Sequence, residues 1–404
     1  MKMKSLVWHG PMDVRIDDKP QPSIQQPEDI VLRITSTAIC GSDIHLYHGT
    51  VPGMQPGQTL GHEFMGIVEE AGPHVTEVKK GDKVVIPFNI ACGQCHWCRN
   101  NYWSQCDRAN PKVGDIGAAF GFTQLLGGYD GGQAEYVRVP FANANISIHV
   151  PEHIKTDEQV LFLSDILPTG YYAADMANVR PGDDVVVFGA GPVGYFAVLS
   201  SFLRGAARVF SVDHWPNRLN KTKDLGAETI NFDDEDPTDF IKKETAGKGA
   251  ICIDAVGYEA VGHMAGNVRM MDGENLKIHG TDVNINKGHE HEKVNLPAYQ
   301  PSNPLQIITW MSQIAKKYST ISIPGVYANA YDQFPLGILM NRNISIHMGQ
   351  CPVKKYSEQL FHLIETKRID PTKIISHTMK LDEAPKGYQN FDKKEDVTKI
   401  VLKP

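Results

Sequence analysis

The sequence predicts a two-domain α/β protein: a β-rich body, then a doubly wound parallel sheet. Three observations carry this. At 404 residues the chain is too long for one hydrophobic core. Up to about residue 165, short alternating runs recur between Gly, Pro and Asp turns, as in barrel-like or sandwich-like folds. From about Pro181, strands apolar on consecutive positions alternate with helical stretches, the pattern of a sheet covered on both faces.

The alternating runs are Asp13–Ile16, Asp29–Ile34, Gly66–Glu70, Asp82–Pro87 and Ala134–Val139. In the second region, Asp183–Phe188 is a buried strand, Tyr195–Arg204 a helix, and Ala207–Val212 a strand ending at Asp213. Asn217–Leu225 reads as a helix closed by Gly226. Ile251–Ala255 and Thr320–Ile323 add strands, and Asn343–Met348 alternates like an outer one. Ser357–Lys367 is an amphipathic helix and Thr398–Leu402 a closing strand. Asp272–Tyr299, polar and without a clear period, reads as a surface insertion carrying His279, His289 and His291.

Composition excludes several classes. A formal net charge of −7 argues against nucleic acid or anionic lipid as the main partner. No apolar stretch approaches the ~20 residues of a membrane helix, and the N-terminus lacks the apolar region of a secretory signal. Four of the seven cysteines lie within fifteen residues, which in a cytoplasmic chain points to metal rather than disulfides.

Cys92, Cys95, Cys98 and Cys106 are spaced C-x2-C-x2-C-x7-C. Four thiolates so close can complete a tetrahedral shell, as in a structural zinc site. An iron–sulfur cluster is the rival, although ferredoxin runs have a shorter last gap and a following proline, where this chain has Asp107. Cys40 and His62 offer a thiolate and an imidazole at two strand ends, a pairing suited to zinc once a third ligand is found. Taken alone they are a buried cysteine and a core histidine. Ser42 and His45 beside Cys40 supply a hydroxyl and an imidazole for moving a proton.

Gly189-x-Gly191-Pro192-Val193-Gly194 follows a buried strand and opens a helix, and Asp213 ends the next strand. That context is the dinucleotide fingerprint, with the pyrophosphate at a helix N-terminus. Asp213 suits the two ribose hydroxyls of NAD(H) and repels a 2′-phosphate, whereas the nearby Arg218 could bind one.

These residues resemble the zinc-dependent medium-chain alcohol dehydrogenases along essentially the whole chain. Gly61-His62-Glu63-x-x-Gly66-x5-Gly72-x-x-Val75, the cysteine lobe, Gly81-Asp82-x-Val84 and the glycine motif fall in that family's order. The resemblance implies a GroES-like catalytic domain (residues 1–166 and 350–404) and an inserted Rossmann domain (residues 167–349). It implies one catalytic and one structural Zn²⁺ per subunit, NAD(H), and a homo-oligomer, with a tetramer favoured over a dimer. Ser42 then contacts the substrate oxygen, His45 ends a proton relay, Phe88 walls the substrate pocket and Lys399 approaches the cofactor phosphates. Glu63 either approaches the metal from behind or orients a neighbouring basic group.

The third ligand departs from the family's usual cysteine or glutamate. Asp165 holds that position, in Leu163-Ser-Asp-Ile-Leu-Pro-Thr-Gly170. This stretch and Gly131–Pro140 resemble the glutathione-independent formaldehyde dehydrogenases and formaldehyde dismutases. The implied reaction is hydride transfer from a zinc-bound alcohol or aldehyde hydrate, formaldehyde among them, to NAD⁺. The alternatives are a broader alcohol or polyol dehydrogenase and a non-catalytic NAD(H)-binding protein on the same scaffold. In that branch an insertion covers the cofactor adenine, a role open to Asp272–Tyr299 alongside that of a plain polar loop or, through its histidines, a further metal site.

Overall fold

The computed structural model describes residues 1–114, 116–258, 260, 277–278, 281–282, 304–327 and 334–404, with backbone only for the short strands at Lys277–Ile278 and Thr281–Asp282. Apart from those strands, the insertion expected over Asp272–Tyr299 and its three histidines lie outside the described residues.

The β-rich body is built on a seven-stranded sheet. Its order is Ile148–His149, Lys83–Ile86, Glu63–Ala71, Ile30–Ile39, Ile400–Lys403 and His377–Lys380, with Tyr136–Val139 also pairing with Ile30–Ile39. Both ends of the chain therefore meet in one sheet. Strand register decides which side chains meet at its end. Ala38 lies opposite Glu63 and Ile39 opposite Ile400, so Cys40, His62 and Lys399 emerge together at one sheet end. Beneath them a core forms from Ile39, Met65, Tyr388, Ile400 and Leu402, all fully or almost fully buried.

The second region is a six-stranded parallel sheet, ordered Glu228–Asn231, Arg208–Asp213, Asp184–Phe188, Ile251–Asp254, Thr320–Ile323 and Ser345–Met348. The chain steps outward from Asp184–Phe188 first to one side and then to the other. That makes the carboxyl end of this strand the switch point, where open α/β sheets bind ligands. The α/β class with a doubly wound parallel sheet is therefore as expected, and the Asn343–Met348 stretch forms the outer strand.

Several boundaries shift. The helix expected from Tyr195 runs Pro192–Leu203, because Pro192 sits where a helix start has no N–H to lose. The helix before Gly226 is Pro216–Lys223, and Gly226 closes it at φ +99°. Helices at Gly41–His48, Ile166–Met176, Pro237–Glu244, Gln306–Ile314 and Ala384–Lys393 were not expected.

Candidate active site

Cys40 caps the helix Gly41–His48, and its N–H donates to Asp43 Oδ2 at 2.9 Å. His62 ends the turn before Glu63–Ala71. Asp165 caps Ile166–Met176, where Thr169 Oγ1 donates to Asp165 Oδ1 at 2.7 Å and fixes the carboxylate. Asp165 Oδ2 lies 3.8 Å from Cys40 Sγ and 3.3 Å from His62 Nε2. Bonds of about 2.0–2.3 Å to a tetrahedral ion put neighbouring donors about 3.3–3.8 Å apart, so the three fit one zinc ion. His62 Nδ1 stands 3.1 Å from Asp43 Oδ1, a carboxylate behind a ligating imidazole that leaves Nε2 for the metal.

Electrostatics agree with the fit. Burial opposes a charge on His62, but Asp43, Asp165 and Cys40 outweigh it and raise its pKa well above the usual value. Burial likewise raises Asp165, but His62 more than compensates and its pKa falls.

In the cysteine lobe, the ligand atoms of Cys92, Cys95, Cys98 and Cys106 all lie within 4.8 Å of one another. Cys95 Sγ is 3.4 Å from Cys98 Sγ and 3.9 Å from Cys106 Sγ, too far for disulfides and close to the edges of a tetrahedron. The backbone N–H groups of Gln94 and Cys95 donate to Cys92 Sγ, and that of Cys92 to Cys106 Sγ. The bond with the Cys98 thiol lowers the Cys106 pKa to about 5.

A cavity of about 580 Å³ runs from Cys40, His62 and Asp165 to the glycine loop. Ser42 and His45 line it, and Ser42 Oγ is 3.2 Å from His62 Nε2. Phe88 and Phe122 flank the His62 ring edge-on. At the far end stand Gly189, Gly191, Pro192, Val193, Asp213 and Arg218. Gly189 takes φ +88°, and a Cβ at Gly194 would lie 1.8 Å from Gly189 O, so the loop needs glycine at both positions. Asp213 accepts N–H groups from Ala190, His214 and Trp215 at 2.7–3.0 Å, which ties the loop to the next strand. Burial lowers the pKa of Arg218 against the pull of Asp213.

Residues 26–151 match the family model for the alcohol dehydrogenase GroES-like domain. The zinc-type alcohol dehydrogenase-like protein AdhB of Bacillus subtilis is 43% identical, with all of both chains covered. A glutathione-independent formaldehyde dehydrogenase of Pseudomonas aeruginosa is 35% identical over 96% of this chain and 94% of its own. Among solved structures, the alcohol dehydrogenase TADH from Thermus sp. ATN1 gives a TM-score of 0.80 at 31% identity, covering 99% of each chain. The chain belongs to the zinc-type alcohol dehydrogenase-like family. It is thus an oxidoreductase built from a GroES-like domain and a Rossmann-type domain.

One expected residue of this dehydrogenase-like chain lies elsewhere. Lys399 does not reach the cofactor cavity. It is fully buried behind the metal site, its Nζ 2.5 Å from Glu63 Oε2 and donating to Ile39 O at 2.9 Å. The register that sets Ile400 against Ile39 turns it inward. Burial disfavours its charge, but Glu63, Cys40 and Asp165 outweigh that and raise its pKa. Burial also raises Glu63 against the pull of Lys399. Both roles read for Glu63 keep support: it pairs with Lys399, and a carboxylate oxygen also lies within 4.8 Å of the Cys40, His62 and Asp165 donor atoms.

Sequence reasoning missed Asp43, Thr169 and Cys351. Thr169, four residues after Asp165 on a helix, was legible once that helix was. Cys351, fully buried on the cavity wall, comes from a distant segment with no local signal.

Proposed function

We propose that the protein is a zinc-dependent, NAD-linked dehydrogenase of alcohols or aldehyde hydrates, with a catalytic zinc on Cys40, His62 and Asp165 and a structural zinc on the four-cysteine lobe. The observation that carries this is the single cavity joining the first donor set to the glycine loop, with Ser42 and His45 along it. A zinc ion on those donors would supply Lewis acidity toward a substrate oxygen, and a dinucleotide held by its pyrophosphate at the glycine loop would supply the hydride acceptor. Ser42 orients the substrate hydroxyl and takes its proton. His45, one helical turn on, passes that proton outward. Phe88 and Phe122 exclude water from the reacting carbon. Asp213 favours NAD(H), since a 2′-phosphate would meet its carboxylate. Domain junctions fall near 166 and 350.

The likeness to formaldehyde dehydrogenases supports formaldehyde hydrate as substrate, giving formate. A broader alcohol specificity is favoured by the apolar side chains of Val51, Ile116, Leu125 and Leu126 in the cavity lining, which suit a substrate tail.

The deciding experiment monitors NADH formation with formaldehyde, short and long primary alcohols and polyols, with the metal content measured alongside. Two zincs per chain and turnover with NAD⁺ are expected. The variant Asp165→Ala should keep one zinc and lose activity by about 10³-fold or more, since a ligand rather than a neighbour is removed. Near-normal activity, or loss of both zincs, would contradict the assignment.

A further inference from the structure

We propose that Tyr258, carried on the nucleotide domain, is a positioning residue that seats the imidazole of His45 and so assembles the proton path when the two domains meet. The inference rests on the dehydrogenase reading above. Tyr258 follows the strand Ile251–Asp254 and is buried. Its backbone is held firmly: the N–H donates to Val326 O at 2.9 Å, and the preceding Val256 and Gly257 N–H groups donate to Asp254 Oδ1 at 2.9 and 3.0 Å. Its side chain crosses to the metal domain. The ring packs on His45 with centroids 4.9 Å apart, and the hydroxyl meets Thr50 Oγ1 at 2.5 Å.

Thr50 completes the link. Its N–H and its hydroxyl both donate to His45 O, at 3.1 and 3.0 Å, beside the left-handed cap at Gly49. With the Thr50 proton directed to that carbonyl, the Tyr258 hydroxyl donates to Thr50 Oγ1. One residue of the nucleotide domain thus grips both the ring of His45 and the end of its helix. A rigid strand end is a suitable anchor for a group that must be held to within about 0.5 Å. His45 itself lines the cavity.

The test compares Tyr258→Phe, which keeps the ring, with Thr50→Val, Thr50→Ser and the double variant Tyr258→Phe/Thr50→Val. The readouts are the transient rate of NADH formation, the KM for NAD⁺ and for the best alcohol of the panel, and the melting temperature. Tyr258→Phe and Thr50→Val should each slow the transient about three- to tenfold, with both KM values within about twofold, because only proton delivery is impaired. The double variant should be no slower than either single one, as expected of residues acting as one unit. Thr50→Ser should recover most of the rate, and added imidazole should speed Tyr258→Phe but not the wild type. A wild-type transient in Tyr258→Phe would overturn the inference. So would a loss that imidazole does not relieve and that tracks a lower melting temperature. A wild-type protein that makes no NADH from any substrate would instead remove the dehydrogenase reading, and this inference with it.

Discussion

Behind the metal donors, Glu63 and Lys399 form an ion pair with no exposure on either side chain. Such a pair is costly to bury, and costlier to break than to replace. Removing one partner leaves a bare charge at low dielectric, typically a loss of about 3–5 kcal/mol, whereas two apolar groups of similar volume are often neutral. Lys399 is the firmer charge of the two, because Cys40 and Asp165 also hold it. Glu63→Met should therefore destabilise the protein by about 3–5 kcal/mol in urea unfolding, and Glu63→Met/Lys399→Met should recover much of it. A single variant as stable as wild type would mean that Lys399 finds another counter-charge. Lys399 also marks a boundary of sequence reading. Cysteine spacing and a glycine turn announce themselves locally, as the lobe and Gly189–Gly194 did, whereas Cys40 and His62 were legible only from the wider motif around them. What a lysine near the C-terminus touches depends on a strand register spanning some 360 residues, which no local pattern encodes.

Elements divide the same way. Alternation and consecutive burial made the strands legible, since side-chain period reports burial directly. The helix Ile166–Met176 went unread because Pro168 and Gly170 look like breakers. Pro168 in fact lies in the first turn, where its missing N–H costs nothing. Gly170 is where a Cβ would meet Phe196 at 2.5 Å, so it serves close packing on the helix Pro192–Leu203. The outer strand Ser345–Met348 carries a prediction of its own. Among the described residues, it pairs only with Thr320–Ile323. Met348 beside its free edge, and Leu336 and Met340 on the helix Leu336–Asn341, are 62, 67 and 76% exposed. A parallel-sheet edge with apolar neighbours invites pairing with a second copy. We propose that this edge builds the homo-oligomer, with a tetramer as the expected size. Light scattering should find the wild type oligomeric and Leu336→Glu/Met340→Glu reduced to a smaller species. A monomeric wild type, or an unchanged mass in the variant, would rule the edge out.

At the scale of the whole molecule, three distant stretches of chain are tied by one polar cluster. Asp157 accepts from Ser36 Oγ at 2.7 Å and pairs with Lys83, while Lys403 reaches Glu158 at 2.7 Å and Ser36 Oγ at 2.6 Å. These groups join the strands Ile30–Ile39, Lys83–Ile86 and Ile400–Lys403 at the turn that leads to Asp165. Burial works against the Asp157 charge, but Lys83 and Ser36 outweigh it and lower its pKa; Lys403 does the same for Glu158. A carboxyl whose pKa is lower folded than unfolded binds fewer protons in the native state. Its stabilisation is therefore present above the ordinary carboxylate range of about 4 and is lost as pH falls through the lowered folded value. Lys83→Met removes the charge that lowers Asp157. Its deficit in melting temperature should be largest at neutral pH and shrink as pH falls below about 4 and on through the lowered folded value of wild-type Asp157. Comparing variant and wild type at each pH cancels metal loss common to both. A deficit of constant size across that range would show that Lys83 acts through packing of its aliphatic stem rather than through its charge.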